Sequence, residues 1–234
     1  MQSIIQQKFK FLKLPRKKQL TFYPFSTITT NKNTDNFKEK FCQGCKMKQI
    51  DSKIICGICN TIHNPLDFIR HNNYFELFNL NQKFSIDKSF LEKKYKEIQK
   101  VIHPDKFAQR DSATLNQAHD ASSLVVHAYN ILKDDYKRAN YLLDLKGIGS
   151  INENNATIKD KNFLMRFMDI QERIDDAESK EELMEIKVEI DQEIKNLTNE
   201  LDNNFENEQL EKALGILSSI KFNLSLLENI NNKI

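Results

Sequence analysis

The sequence predicts a mainly all-α protein: a helical hairpin and an antiparallel three-helix bundle, preceded by a small zinc-binding knuckle. Three observations lead there. Glycine and proline number only 5 and 4 in 234 residues, while lysine, glutamate, leucine and isoleucine are common, which favours long helices over a barrel or sandwich. From residue 74 onward, apolar residues recur every three or four positions, the period of an amphipathic helix. All four cysteines fall between positions 42 and 59 as two CxxC pairs, a metal-ligand spacing.

Charge divides the chain further. The formal net charge is +2, but residues 1–34 carry seven basic side chains and no acid, whereas residues 151–234 hold 19 acids against 10 bases. A modestly basic middle followed by an acidic end suggests two working surfaces for different partners. No basic stripe alternates with exposed aromatics, so nucleic-acid binding is not expected. No run of 18 apolar residues occurs, so no membrane span is expected. The clustered cysteines leave no thiol for a long-range staple, which argues against a secreted disulfide scaffold.

Residues 1–30 read as a mitochondrial presequence. Ile5, Phe9 and Leu12 form an apolar strip among Lys8, Lys10 and Lys13, Pro15 stops the helix, and Ser26, Thr27, Thr29 and Thr30 follow without an acid. A disordered basic tail is the bland alternative, since lysine outnumbers arginine. Residues 31–40 read as a linker.

Residues 41–62 form the knuckle. Cys42 and Cys45 are separated by ten residues from Cys56 and Cys59, and two such turns can complete a tetrahedral sulfur site. Zn²⁺ fits a closed four-thiolate site and gives it a structural role. Redox disulfides or a rubredoxin-like single iron share the spacing. Gly44 and Gly57 are expected to relieve crowding at positive φ, "KMKQIDSKII" has the length of a small hairpin, and His63 reads as a surface or capping residue. A unit this small needs its metal for stability.

"NYFELFNL" begins the helical part with Tyr74, Phe75, Leu77, Phe78 and Leu80. A clear amphipathic helix starts near Asp87, capped by Asp87 or Ser85, with Phe90, Leu91, Tyr95, Ile98, Val101 and Ile102 on its apolar stripe. Lys88, Lys93, Lys94, Lys96 and Lys100 cover the rest of its surface, opposed within it only by Glu92 and Glu97, and look like a docking face. Pro104 forces the preceding residue out of the α region, so the helix ends at His103-Pro104-Asp105. A second helix, from about Leu115 to Leu132, presents Ala118, Ala121, Ser122, Val125, Ala128, Tyr129 and Leu132, small enough for close antiparallel packing. The turn therefore lies at the open end of a hairpin. His103 and Asp105 could form a base–orienter pair, but no nucleophile stands beside them in sequence, and a buried structural histidine is a second alternative. A fixed, exposed recognition turn fits better.

With these residues in view, the chain resembles the J domains of heat-shock co-chaperones, and more narrowly the HscB family, the J proteins of iron–sulfur cluster assembly. "YFELFNL", "LEKKYKEIQKVIHPDKF" and "AYNILKDDYKRANYLLDLKG" follow the J-domain order over residues 72–146. "FLMRFMDIQERID" resembles the opening of that family's C-terminal domain, and the tetracysteine knuckle resembles the N-terminal extension of many eukaryotic members.

Gly147 and Gly149 break the chain, and "INENNA" reads as a loop. Residues 157–232 then predict three helices, roughly 158–177, 180–201 and 206–231. Phe163, Leu164, Phe167, Met168 and Ile174 stripe the first; Leu183, Ile186, Ile190 and Leu197 the second; Leu210, Ala213, Leu214, Leu217, Ile220, Leu224 and Leu227 the third. Five of the seven residues in "FLMRFMD" are apolar, too many for one narrow stripe. Either the core stripe is wide, or Leu164, Met165 and Met168 lie at an edge as an adaptable partner-binding patch.

The resemblance favours the patch. It implies scaffold binding by Leu164, Met165, Met168, Asp169 and Glu172, with Ile216 at the position where the third helix often carries an aromatic. It implies that His103, Pro104 and Asp105 activate a DnaK-type heat-shock chaperone, that Lys93, Lys94, Lys96, Lys100 and Lys106 dock it, and that the bundle delivers the iron–sulfur cluster scaffold protein in the mitochondrial matrix. Such a chain is a co-chaperone and not an enzyme. A J protein with another client, or an interaction scaffold without ATPase stimulation, is the competing reading.

Overall fold

The computed structural model describes residues 40–49, 53–70, 72–151 and 161–234. The leader stripe of Ile5, Phe9 and Leu12, the linker up to residue 39, and the loop and helix start at 152–160 lie outside the described residues. No helix among the described residues is long and apolar enough to cross a membrane.

Strands β1 (Lys40–Phe41) and β2 (Lys48–Gln49) pair antiparallel, with Lys40 opposite Gln49. Pairing thus crosses the first CxxC turn, and an isolated Ile55–Ile62 bridge crosses the second. The tip of the small hairpin expected between the cysteine pairs falls on positions outside the described residues. Each knuckle reverses the chain by itself, because the Cys42 N–H donates to Met47 O and the Cys56 N–H to Thr61 O, both at 2.9 Å. Positions 50–52 lie outside the described residues.

Helix α1 (Pro65–Ile69) was not foreseen. Asn64 caps it by accepting from the Leu66 N–H, Pro65 supplies a helix-compatible φ, and Phe68 is buried. Helix α2 (Tyr74–Leu77) starts with a capping box between Asn73 and Glu76. Asp87 caps α3 (Lys88–Ile102) by accepting from the Ser89 and Phe90 N–H groups. Helix α4 (Ser112–Lys133) begins three residues before the expected Leu115, since Asp111 accepts from the Thr114 N–H at 2.9 Å and caps it there. Ala118, Ala121, Val125, Ala128 and Leu132 are fully buried on α4, as the small-residue face implied. Across the α3/α4 hairpin, Tyr95 stacks on Tyr129 at 4.2 Å and Gln99 exchanges hydrogen bonds with Ser122. Helix α5 (Asp135–Leu145) ends at Gly147 and Gly149, which adopt φ of 79° and 92°.

Helices α6 (Lys161–Asp176), α7 (Lys180–Glu206) and α8 (Leu210–Lys233) form the bundle. Its core is Ile170, Ile174, Leu183, Ile186, Ile190, Leu226 and Ile230, with Phe167 partly buried against it. One expected core residue is corrected: Leu224 is exposed, and Leu226 takes the buried position two residues along; on α6, Met168 is exposed, as the edge-patch alternative has it, and Ile170 is buried. A shift of two residues turns a helical side chain by about 200°, so it changes face completely. Helix α7 runs five residues past its expected end at 201, because Phe205 is buried and stacks on Phe84 at 5.3 Å.

Arg138 supports that stack from the Phe84 side. Its side chain is 4% exposed; Nε donates to Phe84 O at 2.7 Å, Nη1 to Leu132 O at 2.6 Å, and Nη2 to Asp135 at 2.5 Å. The guanidinium lies 4.8 Å from the Phe84 ring centroid.

The bundle also carries a liability. Asn223 on α8 is 2% exposed, and its Nδ2 has no hydrogen-bond partner among the described residues. An unpaired buried amide costs about 1–3 kcal/mol. Asn223→Leu, similar in branching though bulkier and without the orphaned donor, is expected to raise stability by at most about 1 kcal/mol in urea unfolding. A loss of stability would show that the amide is satisfied by water.

Candidate functional site

Three groups of side chains carry chemistry. At the knuckle, one Sγ from each of Cys42, Cys45, Cys56 and Cys59 lies within 4.8 Å of every other. The Cys42–Cys59 and Cys45–Cys56 separations are 3.6 and 3.8 Å. Metal–sulfur bonds of about 2.3 Å make the edges of a tetrahedron about 3.8 Å, so two of the six edges match it and the four sulfurs converge closely enough to share one ion. The electrostatics reflect the crowding of the four sulfurs. The Cys59 and Ile58 N–H groups pull the Cys56 thiol down to about 6. Against the Met47 N–H, which lowers it, burial and the three neighbouring sulfurs push Cys45 up to about 11. Crowded sulfurs cannot all ionise until a cation joins them.

The glycines work differently from the expectation. Left-handed backbone falls on Lys46 (φ 60°) and Asn60 (φ 58°), one residue after each second cysteine, and not on Gly44 or Gly57. Gly44 is required by space: a Cβ there would strike Thr61 Oγ1 and stand 3.2 Å from Cys59 Sγ. A Cβ at Gly57 would meet nothing within 4 Å. His63 is neither a cap nor a free surface residue. It is partly buried, with Nδ1 2.8 Å from Lys53 O across the second knuckle. Gln117 of α4 donates to Ile62 O at 3.0 Å, which ties the knuckle to the hairpin.

The second group is the turn. His103 ends α3, and Pro104 opens a single 3₁₀ turn, Pro104–Phe107. His103 Nδ1 lies 3.4 Å from the Asp105 N–H nitrogen and 3.3 Å from Asp105 Oδ2. The two side chains are 53% and 88% exposed, so the pair points into solvent and lines no cleft. Of the five lysines expected to dock a partner, Lys94 pairs with Glu97 at 2.8 Å and Lys96 with Glu92 at 2.7 Å. Lys93, Lys100 and Lys106 have no ion-pair partner among the described residues and are exposed.

The third group is on α6. Met165 and Met168 are 71% and 58% exposed, Asp169 and Glu172 are exposed, and Leu164 is partly buried. Steps of four residues, 164–168–172 and 165–169, put all five on one outward face. The structure adds a residue the sequence reading missed. Phe222 of α8 packs edge-on against Phe167 of α6, with centroids 5.5 Å apart, and is partly buried. Ile216 lines a groove of about 650 Å³ with Phe163, Leu197, Leu214 and Gly215.

The sequence over residues 159–231 matches the HSCB C-terminal oligomerisation domain. The mouse iron–sulfur cluster co-chaperone protein HscB is 32% identical over 182 residues, which span 78% of this chain and 74% of that protein. The chain belongs to the HscB co-chaperone family. An Arabidopsis thaliana HscB homolog is 28% identical over 193 residues, 82% of this chain and 74% of that one. The crystal structure of human co-chaperone protein HscB superposes with a TM-score of 0.74 at 29% identity, covering 83% of this chain and 98% of the human one. HscB membership therefore accounts for the helical fold, while the knuckle, the turn and the α6 face have their geometry described in this chain itself.

Proposed function

We propose that this HscB-family chain stimulates ATP hydrolysis by a DnaK-type mitochondrial heat-shock chaperone and delivers to it an iron–sulfur cluster scaffold protein. The observation that carries the reading is the presence of two unlike exposed surfaces on one frame: a proline-fixed polar turn beside unpaired lysines, and a methionine face edged by acids. The hairpin, residues 72–146, commits the ATPase. The bundle, residues 157–232, brings the client. Favouring the hydrolysis-competent state of the chaperone couples the two events. The leader, residues 1–30, directs import into the matrix. In single-turnover assays the chain accelerates hydrolysis by the chaperone, and the scaffold protein raises that effect further. A chain that binds both partners and leaves hydrolysis unchanged is an interaction scaffold.

The knuckle holds Zn²⁺ in this reading, with a structural role because four thiolates close its coordination shell. Reduced protein carries about one zinc per chain by metal analysis. Cys56→Ser removes it and loosens residues 53–70, while α6–α8 keep their melting behaviour. Metal-free wild-type protein would remove the assignment.

Scaffold binding belongs to Leu164, Met165, Met168, Asp169 and Glu172, and we assign the contribution of α8 to Phe222, which stands beside α6, instead of Ile216. Replacing Leu164, Met165 and Met168 together with alanine lowers scaffold affinity more than tenfold, about 2–3 kcal/mol, because exposed methionines at a hot spot contribute to binding and little to folding. Calorimetric titration beside a thermal melt separates this from a core role. Normal affinity in a stable triple variant would eliminate the patch.

A further inference from the structure

The knuckle is built onto the helix that carries the turn. Its second half is pinned by the Ile55–Ile62 bridge and by the His63 N–H donating to Ile54 O at 2.8 Å. Ile54 and Ile62 are buried, at 4% and 6% exposed. From there two connections lead to α4. Gln117 Nε2 donates to Ile62 O at 3.0 Å, and α1 packs against α4 with Phe68 buried at 5%. Asn72 Nδ2 donates to Phe68 O at 3.0 Å and continues the chain of contacts toward α2. Gln117 stands in the second turn of α4, and α4 packs against Pro104–Phe107. The knuckle therefore reaches the helix that packs on the turn through the Gln117–Ile62 hydrogen bond and the α1 contact.

We propose that metal occupancy of the four-cysteine knuckle sets the order of the His103-Pro104-Asp105 turn through Gln117, which makes the co-chaperone's output responsive to zinc. With the ion bound, Cys56 and Cys59 fix the Ile55–Ile62 bridge, and the Ile62 carbonyl offers Gln117 a stationary acceptor. Without it the small unit has almost no core of its own, the carbonyl moves, and the start of α4 loses a lateral support. Gln117 is a positioning residue: it touches neither metal nor partner. By linkage, a partner that binds the ordered turn tightens zinc in return. The zinc in this inference rests on the reading of the knuckle given above.

The experiment uses the full chain, reduced, zinc-loaded or stripped by a chelator. Amide exchange of residues 112–121 and the ¹H–¹⁵N positions of residues 103–108 are read in both states. Stripping zinc is expected to speed exchange at 112–121 about tenfold and to shift the turn resonances. If only residues 53–70 respond, the proposal is wrong. Gln117→Leu with zinc retained should show the faster exchange from the start and no further change on stripping. Gln117→Arg, which can still donate to the Ile62 carbonyl, should restore the response. Full zinc response in a folded Gln117→Leu chain would overturn the route. Chaperone ATPase stimulation is measured on the same samples: turn resonances that move while stimulation stays constant would refute the role of the turn and leave the coupling standing.

Discussion

His103→Gln and Asp105→Asn are each expected to leave the helices intact and to remove nearly all stimulation of the chaperone ATPase, a loss of tenfold or more, or about 1.4 kcal/mol and upward of transition-state coupling. Neither side chain supports the fold. Both are largely solvated, and their one mutual polar contact is long, at 3.3 Å between Nδ1 and Oδ2. The 3.4 Å bond from the Asp105 N–H to His103 Nδ1 is similarly weak, and the glutamine carbonyl can accept it. Helix α3 ends because Pro104 follows, and neither substitution changes that. The turn presents an imidazole and a carboxylate in a direction set by proline and the 3₁₀ turn after it. A partner that reads this arrangement loses a specific donor or charge in each variant, and such a site rejects an analogue strongly because its own groups are left unpaired. Circular dichroism, a thermal melt and single-turnover hydrolysis are read together. Undiminished stimulation by a folded variant would end the role assigned to the turn.

How far the sequence reaches depends on the range of the interaction. Pro104 acts on the residue beside it, and the CxxC turns close within four residues, so both were legible. The small side chains of α4 declare close packing through their size alone, and Ala118, Ala121 and Ala128 are indeed fully buried. Face assignment was weaker where apolar residues crowd. In "FLMRFMD" every rotation of the helix buries something; the resemblance turned Met168 outward, but the observed contacts were needed to place Ile170, just beyond that run, inward. The features that escaped notice are long-range pairings of ordinary residues. Gln117 with Ile62, Arg138 with Phe84, and Phe222 with Phe167 join positions 55, 54 and 55 residues apart. A glutamine or arginine on a helix usually faces water, and nothing local marks these as exceptions. Asn64-Pro65 did mark the start of α1, by capping chemistry that a closer reading of residues 63–70 would have found.

Arg138→Ala carries the largest expected cost to the fold, about 3–5 kcal/mol. The guanidinium is almost fully buried, and its three nitrogens each serve a different acceptor: Phe84 O, Leu132 O and Asp135 Oδ1. Alanine leaves two carbonyls without these donors, removes the cation from the Phe84 ring, and opens a cavity beside the Phe84–Phe205 stack. Arg138→Lys should recover only a fraction, because an ammonium on a narrower head cannot reach three separated acceptors at once. The pH dependence supplies an independent check. Burial raises the Asp135 carboxyl, but Lys88 at 2.8 Å and Arg138 together more than offset it and hold it below its ordinary value near 3.8. A carboxyl depressed on folding contributes stability above its unfolded value and loses it as pH falls through the folded one. The wild-type chain should therefore lose this contribution below about pH 4, and Arg138→Ala, left with Lys88 alone, should lose less of it over the same interval. The gap between the two in urea unfolding is then widest near neutrality and narrows in acid. A gap under 1 kcal/mol at pH 7 would mean that the α5 guanidinium is not what holds Phe84, α4 and α5 together. A large gap that ignores pH would assign the loss to the cavity and the orphaned carbonyls, with Asp135 a bystander.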